Sequence, residues 1–201
     1  MTKIKTGEED LENEFENEDI TEFYTDVDQS LTEKGIVMLE DEMNHPGVTL
    51  MAKKLVLDIA STNNCDTIEL YINSGGGEAP QFLSLYDIVT LAQTFYKKKV
   101  YTIVSGIAAS AAALVLQAGN PRFATKNSFI MLHEMSLGFE GKFTTAQTEM
   151  IMAKKWQNKI LQIWAEKMNI SSRELMTLIK GKDIYYSAKE AKKVGLIDSV
   201  I

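Results

Sequence analysis

The chain has 201 residues and a mass of 22.5 kDa, with 45% hydrophobic and 24% charged residues, a composition that suits one soluble globular domain with its own core. A single cysteine, Cys65, excludes an internal disulfide framework and a cysteine-cluster metal site; no apolar run reaches the roughly 18 residues that span a bilayer, and MTKIKTGEED lacks the apolar stretch of a secretory signal. The net charge of −7 is concentrated at one end: eleven of the 28 acidic residues lie in 1–28 against Lys3 and Lys5, and the body has no basic stripe with interleaved aromatics, which disfavours nucleic acid. A cytoplasmic protein is expected, without metal, cofactor or membrane contact.

Residues 1–28 read as an acidic N-terminal extension that buries too little to offset its ordering entropy, ahead of a single domain over 29–201. In the body, short β-branched runs at 35–39, 68–72, 100–104 and 128–132 alternate with helical spacing at 47–62, 80–97, 109–118, 144–168, 171–180 and 187–193. Strands separated by helices of this length imply parallel crossovers and an α/β fold. Three helix starts carry a capping-box pattern: Thr144 with Gln147, Ser171 with Glu174, and Ser187 with Glu190.

Four segments hold chemistry-bearing residues. Asn73-Ser74-Gly75-Gly76-Gly77 follows a strand, and its glycines either aim N–H groups into a cleft or form a plain turn. Ser110 stands among small residues at a strand-to-helix junction, where its hydroxyl is exposed near the helix start or is merely part of an alanine-rich helix. His133 leaves the end of an apolar strand, as either a core histidine or a ligand-facing one; His45, in Asn44-His45-Pro46-Gly47, reads as part of an exposed turn. Asp183 precedes the last capped helix in a loop. Carboxyl ends of neighbouring strands are where ligands collect in open α/β sheets, so the first three segments can meet in one crevice. In the helix at 144–168, Met152, Trp156, Ile160, Ile163 and Trp164 form a stripe that suits either the core or another subunit.

Taken in order, Tyr71 to Gly77, Gly106 to Ala111, Met131-Leu132-His133, Asp183 to Ala188 and Gly195-Leu196-Ile197-Asp198-Ser199 resemble the ClpP family of serine peptidases over about residues 30–201. The resemblance implies a ClpP/crotonase-like spiral of β-β-α repeats with a protruding handle (about 136–168) that holds the long helix 144–168. It implies Ser110 as nucleophile, His133 as general base and Asp183 as the carboxylate that orients it, with an oxyanion hole from the N–H groups of Gly77 and Ala111. It also implies a substrate strand at 136–143, with Gly76, Gly138 and Gly141 against the peptide, and a homo-oligomer of two stacked seven-membered rings. A hexameric AAA+ unfoldase would dock in an apolar pocket matched here by Tyr71, Phe95, Ile103, Phe123 and Ile201, and the ATP would be used by that partner. The sequence departs from the family at Glu69, an acid where an aromatic is usual in the pocket, at Gly75, where proline is usual, and at Glu134-Met135, where a Gln-Pro pair is usual. An unpaired carboxylate under a hydrophobic loop would cost several kcal/mol, so Glu69 weighs against docking. A crotonase-type acyl-CoA enzyme and a non-catalytic ring scaffold are the competing readings. The first would need acid and base carboxylates and a CoA groove.

Overall fold

The computed structural model describes residues 30–40, 47–62, 65–138 and 142–201, with Gly47 and Val48 described by their backbone alone. The acidic extension at 1–28, the His45 turn and Gly141 lie outside the described residues.

Along β2 (Thr67–Ser74) half-buried and buried side chains alternate, so Ile68, Leu70, Ile72 and Ser74 face the core while Thr67, Glu69, Tyr71 and Asn73 face outward. A period of two with one buried row is what a strand covered on one side produces. β1 (Ile36–Glu40) and β3 (Lys99–Ala109) pair parallel with its two edges, setting Leu70 between Val37 and Thr102. β4 (Arg122–Ala124) and β7 (Ser199–Val200) extend the sheet in the order β1-β2-β3-β4-β7, all parallel. β3 is long enough to serve two neighbours. Its residues Thr102 to Val104 pair with β4, and Ile107 to Ala109 pair parallel with β5 (Phe129–Leu132), which pairs antiparallel with β6 (Ile184–Ser187).

The inner face is covered by α1 (Gly47–Thr62), α2 (Ala79–Thr94) and α3 (Ala111–Leu116). Val56, Ile59, Leu85, Val89, Leu114 and Leu116 from these helices join Ile68, Leu70, Ile72, Val100 and Val104 in one core cluster. Each side chain of this size contributes about 1.5–3 kcal/mol when withdrawn from water. That burial also explains α3, whose six residues are too few to hold a helix in water but are all buried. Its end is closed by Thr102, whose hydroxyl donates to the Leu116 carbonyl at 2.8 Å.

α4 (Phe143–Met168), α5 (Ser172–Ile179) and α6 (Ala188–Val194) complete the chain. The apolar stripe of α4 is divided. Ile160, Ile163 and Trp164 are core, Trp156 is half-buried, and Met152 is exposed, as are Phe143, Met150 and Ile151 in the same N-terminal half. No helix among the described residues is long and apolar enough to cross a membrane.

The α/β class and all six helices stand as expected, with shifted ends. The capping boxes at Ser171 and Ser187 form as read, and hydrogen bonds from the serine hydroxyls and N–H groups hold Glu174 and Glu190 below the usual carboxylate range. The box at Thr144 does not form: the helix starts earlier, with the Lys142 carbonyl accepting from Thr145 and Ala146 at 3.0 and 3.1 Å. The expected helix at 109–118 shrinks to Ala111–Leu116 because β3 runs on through Ala109. β4, β6 and β7 were not expected, being two to four residues long. The expected strand at 136–143 is absent where it is described: 136–138 are irregular and α4 begins at Phe143.

Candidate active site

The site is built at a slip between β2 and β3. Their register runs evenly from Thr67 opposite Lys99 to Ile72 opposite Val104, then jumps to Ser74 opposite Ala108, leaving extra β3 residues to bulge. Gly106 takes φ +118° in that bulge, where a Cβ would strike the Asn73 carboxamide, and Asn73 Oδ1 accepts from Ile107 N–H at 3.2 Å. From the other side, Ser128 Oγ accepts from Gly106 N–H at 3.0 Å and donates to the Val104 carbonyl at 2.9 Å. The bulge thus carries β3 past β4 and onto β5, which brings Ser110 beside His133.

Ser110 N–H makes the last bond of the β3–β5 ladder, to the Met131 carbonyl at 2.9 Å, and the chain then turns abruptly into α3. The turn puts Ser110 at φ 54°, ψ −122°, a conformation rarely adopted by residues with a side chain. Although Ser110 occupies the N-cap position, its hydroxyl does not cap the helix. It lies instead 2.7 Å from His133 Nε2. On the far side of the ring, His133 Nδ1 is 3.4 Å from Asp183 Oδ1, longer than a good N–H···O bond of about 2.7–3.2 Å. The two side chains differ in exposure, His133 at 22% and Asp183 at 61%. Asp183 comes from the connection between α5 and β6, delivered by the antiparallel pairing that sets Ile184 opposite Leu132.

The glycine loop packs against this turn. Gly76 has φ +93°, and a Cβ on it would lie 2.7 Å from the Ala109 carbonyl, 2.9 Å from Ala111 N and 3.0 Å from Ser110 Cβ. Gly77 and Ala111 both line a cleft of about 230 Å³ in front of Ser110 and His133. Its other wall is largely apolar and includes Met135, Leu137, Trp156, Ile160, Leu161 and Trp164.

Residues 19–201 match the family profile described as Clp protease. The chain belongs to the Clp protease family. As a member it is a peptidase, and its α/β fold is that of the ClpP kind. Ser110, His133 and Asp183 are brought together, and Gly76, Gly77 and Ala111 adjoin them. Gly138 is exposed at the edge of the described segment, with open space around it. In the matched pocket, Tyr71, Ile103 and Phe123 stand side by side in register on the outward sheet face, and Ile201 is tied to β4 through the Ala124 carbonyl. Phe95, at the end of α2, is exposed and packs edge-on against Tyr96. The Glu69 carboxylate is not unpaired, since it accepts from the Tyr71 hydroxyl at 3.1 Å; burial and this carboxylate both push the Tyr71 phenol up.

In this Clp protease, residues to which the sequence assigned no role also shape the site. Asn73 and Ser128 pin the bulge, and Gln157 joins α4 to the segment after His133 by accepting from Met135 N–H at 3.3 Å. Asn73 and Ser74 just before three glycines are turn formers, a signal for such a loop; nothing in the sequence pairs Gln157 with Met135.

Proposed function

We propose that this chain is a serine endopeptidase that hydrolyses peptides and unfolded polypeptides through an acyl-enzyme on Ser110. The 2.7 Å separation of Ser110 Oγ and His133 Nε2 carries the reading, because a hydroxyl becomes a competent nucleophile only when a base can take its proton. Ser110 Oγ attacks the scissile carbonyl as His133 Nε2 accepts the hydroxyl proton. The tetrahedral oxyanion is met by the N–H groups of Gly77 and Ala111. Collapse breaks the C–N bond, and His133 returns the proton to the leaving amine. Water, deprotonated by the same imidazole, then hydrolyses the ester and restores the serine. Asp183 fixes the imidazole tautomer and offsets its transient positive charge. The strained turn suits this role, since it presents the hydroxyl away from its own helix.

The apolar cleft favours a large apolar side chain next to the scissile bond, and main-chain contacts of the substrate at Gly76 and Gly138 would read little further sequence. Assembly into two stacked seven-membered rings is supported by the exposed Phe143, Met150 and Ile151 of α4, a surface that a neighbouring subunit would cover. An AAA+ unfoldase would dock at Tyr71, Phe95, Ile103, Phe123 and Ile201, where Glu69, already bonded to Tyr71, costs less than an unpaired acid.

A fluorophosphonate probe tests the chemistry. Labelling of the assembled chain that disappears in Ser110→Ala is the expected result. Absence of labelling in every assembly state refutes the reading and favours a scaffold or a crotonase-type enzyme.

A further inference from the structure

The residue after the base reaches the loop that carries the acid. β5 ends at Leu132, so strand alternation no longer directs Glu134, and its Oε1 accepts from Gly181 N–H at 2.9 Å. Gly181 takes φ +66° in the turn that leaves α5, a conformation favouring glycine, and Asp183 follows two residues later. The turn is fastened behind by Lys182 N–H to the Ile179 carbonyl at 3.0 Å and ahead by the pairing of Ile184 with Leu132. Among the described residues Asp183 has no hydrogen bond or ion pair besides its 3.4 Å approach to His133 Nδ1. Its direction is therefore set by the backbone on either side of it, not by bonds to its own carboxylate.

We propose that Glu134 is a positioning residue: by gripping the Gly181 amide it sets the 180–183 turn so that Asp183 faces the imidazole. Residues 133 and 134 thereby address the two ends of one relay, the first carrying the proton and the second placing the group that steadies it. The inference rests on the peptidase reading and deepens it. A carboxylate accepting an N–H is a charge-assisted bond, and neutral carboxamide oxygen can accept the same N–H, so Glu134→Gln preserves the grip while Glu134→Ala releases it.

The test is a double-mutant cycle on the assembled full-length chain, hydrolysing a fluorogenic peptide, with hydrogen exchange at the Gly181 amide measured in parallel. Glu134→Ala should lower kcat about tenfold at little-changed KM, equivalent to about 1.4 kcal/mol of barrier. Glu134→Gln should restore kcat to within about threefold of wild type. In an Asp183→Ala background, Glu134→Ala should cost nothing further. An equal loss in both backgrounds overturns the proposal, because Glu134 would then act by a route other than Asp183; so does full activity of Glu134→Ala. Should Glu134→Ala fail to fold, exchange in wild type and Glu134→Gln decides: slowed exchange in both supports the grip, and free exchange in wild type refutes it. Hydrolysis at the wild-type rate in Ser110→Ala sinks the reading of Ser110 as nucleophile and the positioning role with it, whatever the exchange shows.

Discussion

Gly76→Ala tests whether the glycine loop and the Ser110 turn form one packed unit. The new Cβ would sit 2.7 Å from the Ala109 carbonyl, 2.9 Å from Ala111 N and 3.0 Å from Ser110 Cβ. Two of these neighbours are backbone atoms of the strained turn, which cannot swing aside as a long side chain can. Overpacking costs about 1–3 kcal/mol, and alanine at φ +93° adds about 1–3 kcal/mol. The cheapest relief moves Ser110 and Ala111 by several tenths of an ångström, shifting one proposed oxyanion donor. Loss of such a donor costs about 10²–10³ in kcat. The expected outcome is a kcat at least about 100-fold lower on a fluorogenic peptide, KM within a few-fold and slower fluorophosphonate labelling. Gly77→Ala is the internal comparison: its Cβ would meet only the Phe82 ring, at 3.2 Å, so its loss should be smaller. Wild-type kcat and Tm in Gly76→Ala would refute the packing argument.

Two further predictions follow from the same geometry. His133→Ala should remove at least about three orders of magnitude of kcat, while Asp183→Ala, losing a 3.4 Å contact from a largely exposed carboxylate, should remove measurably less; equal losses would mean that the working geometry is tighter than this one. Asp198→Ala should lower Tm by about 4–12 °C. Its carboxylate accepts from Arg122 N–H at 2.7 Å, Nε at 3.1 Å and Nη2 at 2.6 Å, and losing it leaves a nearly buried guanidinium with only Gln117 and Gly195, at about 2–3 kcal/mol after discount for the exposed aspartate. Burial alone would raise the Asp198 carboxyl, but Arg122 and Lys167 outweigh it and hold it below its ordinary 3.8. Stability from a lowered carboxyl is complete above its unfolded value and lost as pH falls through the folded one, so the Tm gap between wild type and variant should be full near neutrality, start to narrow below about pH 4 and keep narrowing as the pH falls further. A gap that stays constant as the pH falls below about 4 would contradict the assignment.

That Ser110, His133 and Asp183 come together was legible because they sit in short ordered motifs, and the alternation of β-branched runs with helical spacing was enough for the α/β class. What escaped was set by contacts distant in sequence. β4 and β7 have three and two residues, and their pairing is enforced by the Arg122–Asp198 bonds across 76 positions. The β-branched run at 100–104 stops before Ser105 and Gly106, but the carboxamide of Asn73 and the hydroxyl of Ser128 satisfy the bulge and let β3 continue to Ala109. Thr144 and Gln147 have the spacing of a capping box, but Lys142 starts the helix, and spacing alone does not say which residue leaves helical geometry first. Glu69 looked costly from its residue type alone, since its partner Tyr71 becomes a neighbour only when strand alternation puts both on one face.

The site divides into a firm half and a loosely held half. Ser110 and His133 adjoin parallel strands whose ladder includes the Ser110 bond to Met131, and beneath them lie the buried Ala108, Ile130 and Leu132. Moving either would break ladder bonds and open core at once. Among the described residues, Asp183 belongs to a turn whose only side-chain tie to the segment after His133 is the Glu134–Gly181 bond, and the N-terminal half of α4 exposes apolar side chains. Ser110 and His133 are therefore set by folding of the single chain, whereas the 3.4 Å step from His133 to Asp183 is the one that modest forces can lengthen or shorten. A perturbation that reaches the site from the α5–β6 connection should act on orientation of the imidazole and leave the Ser110–His133 contact in place.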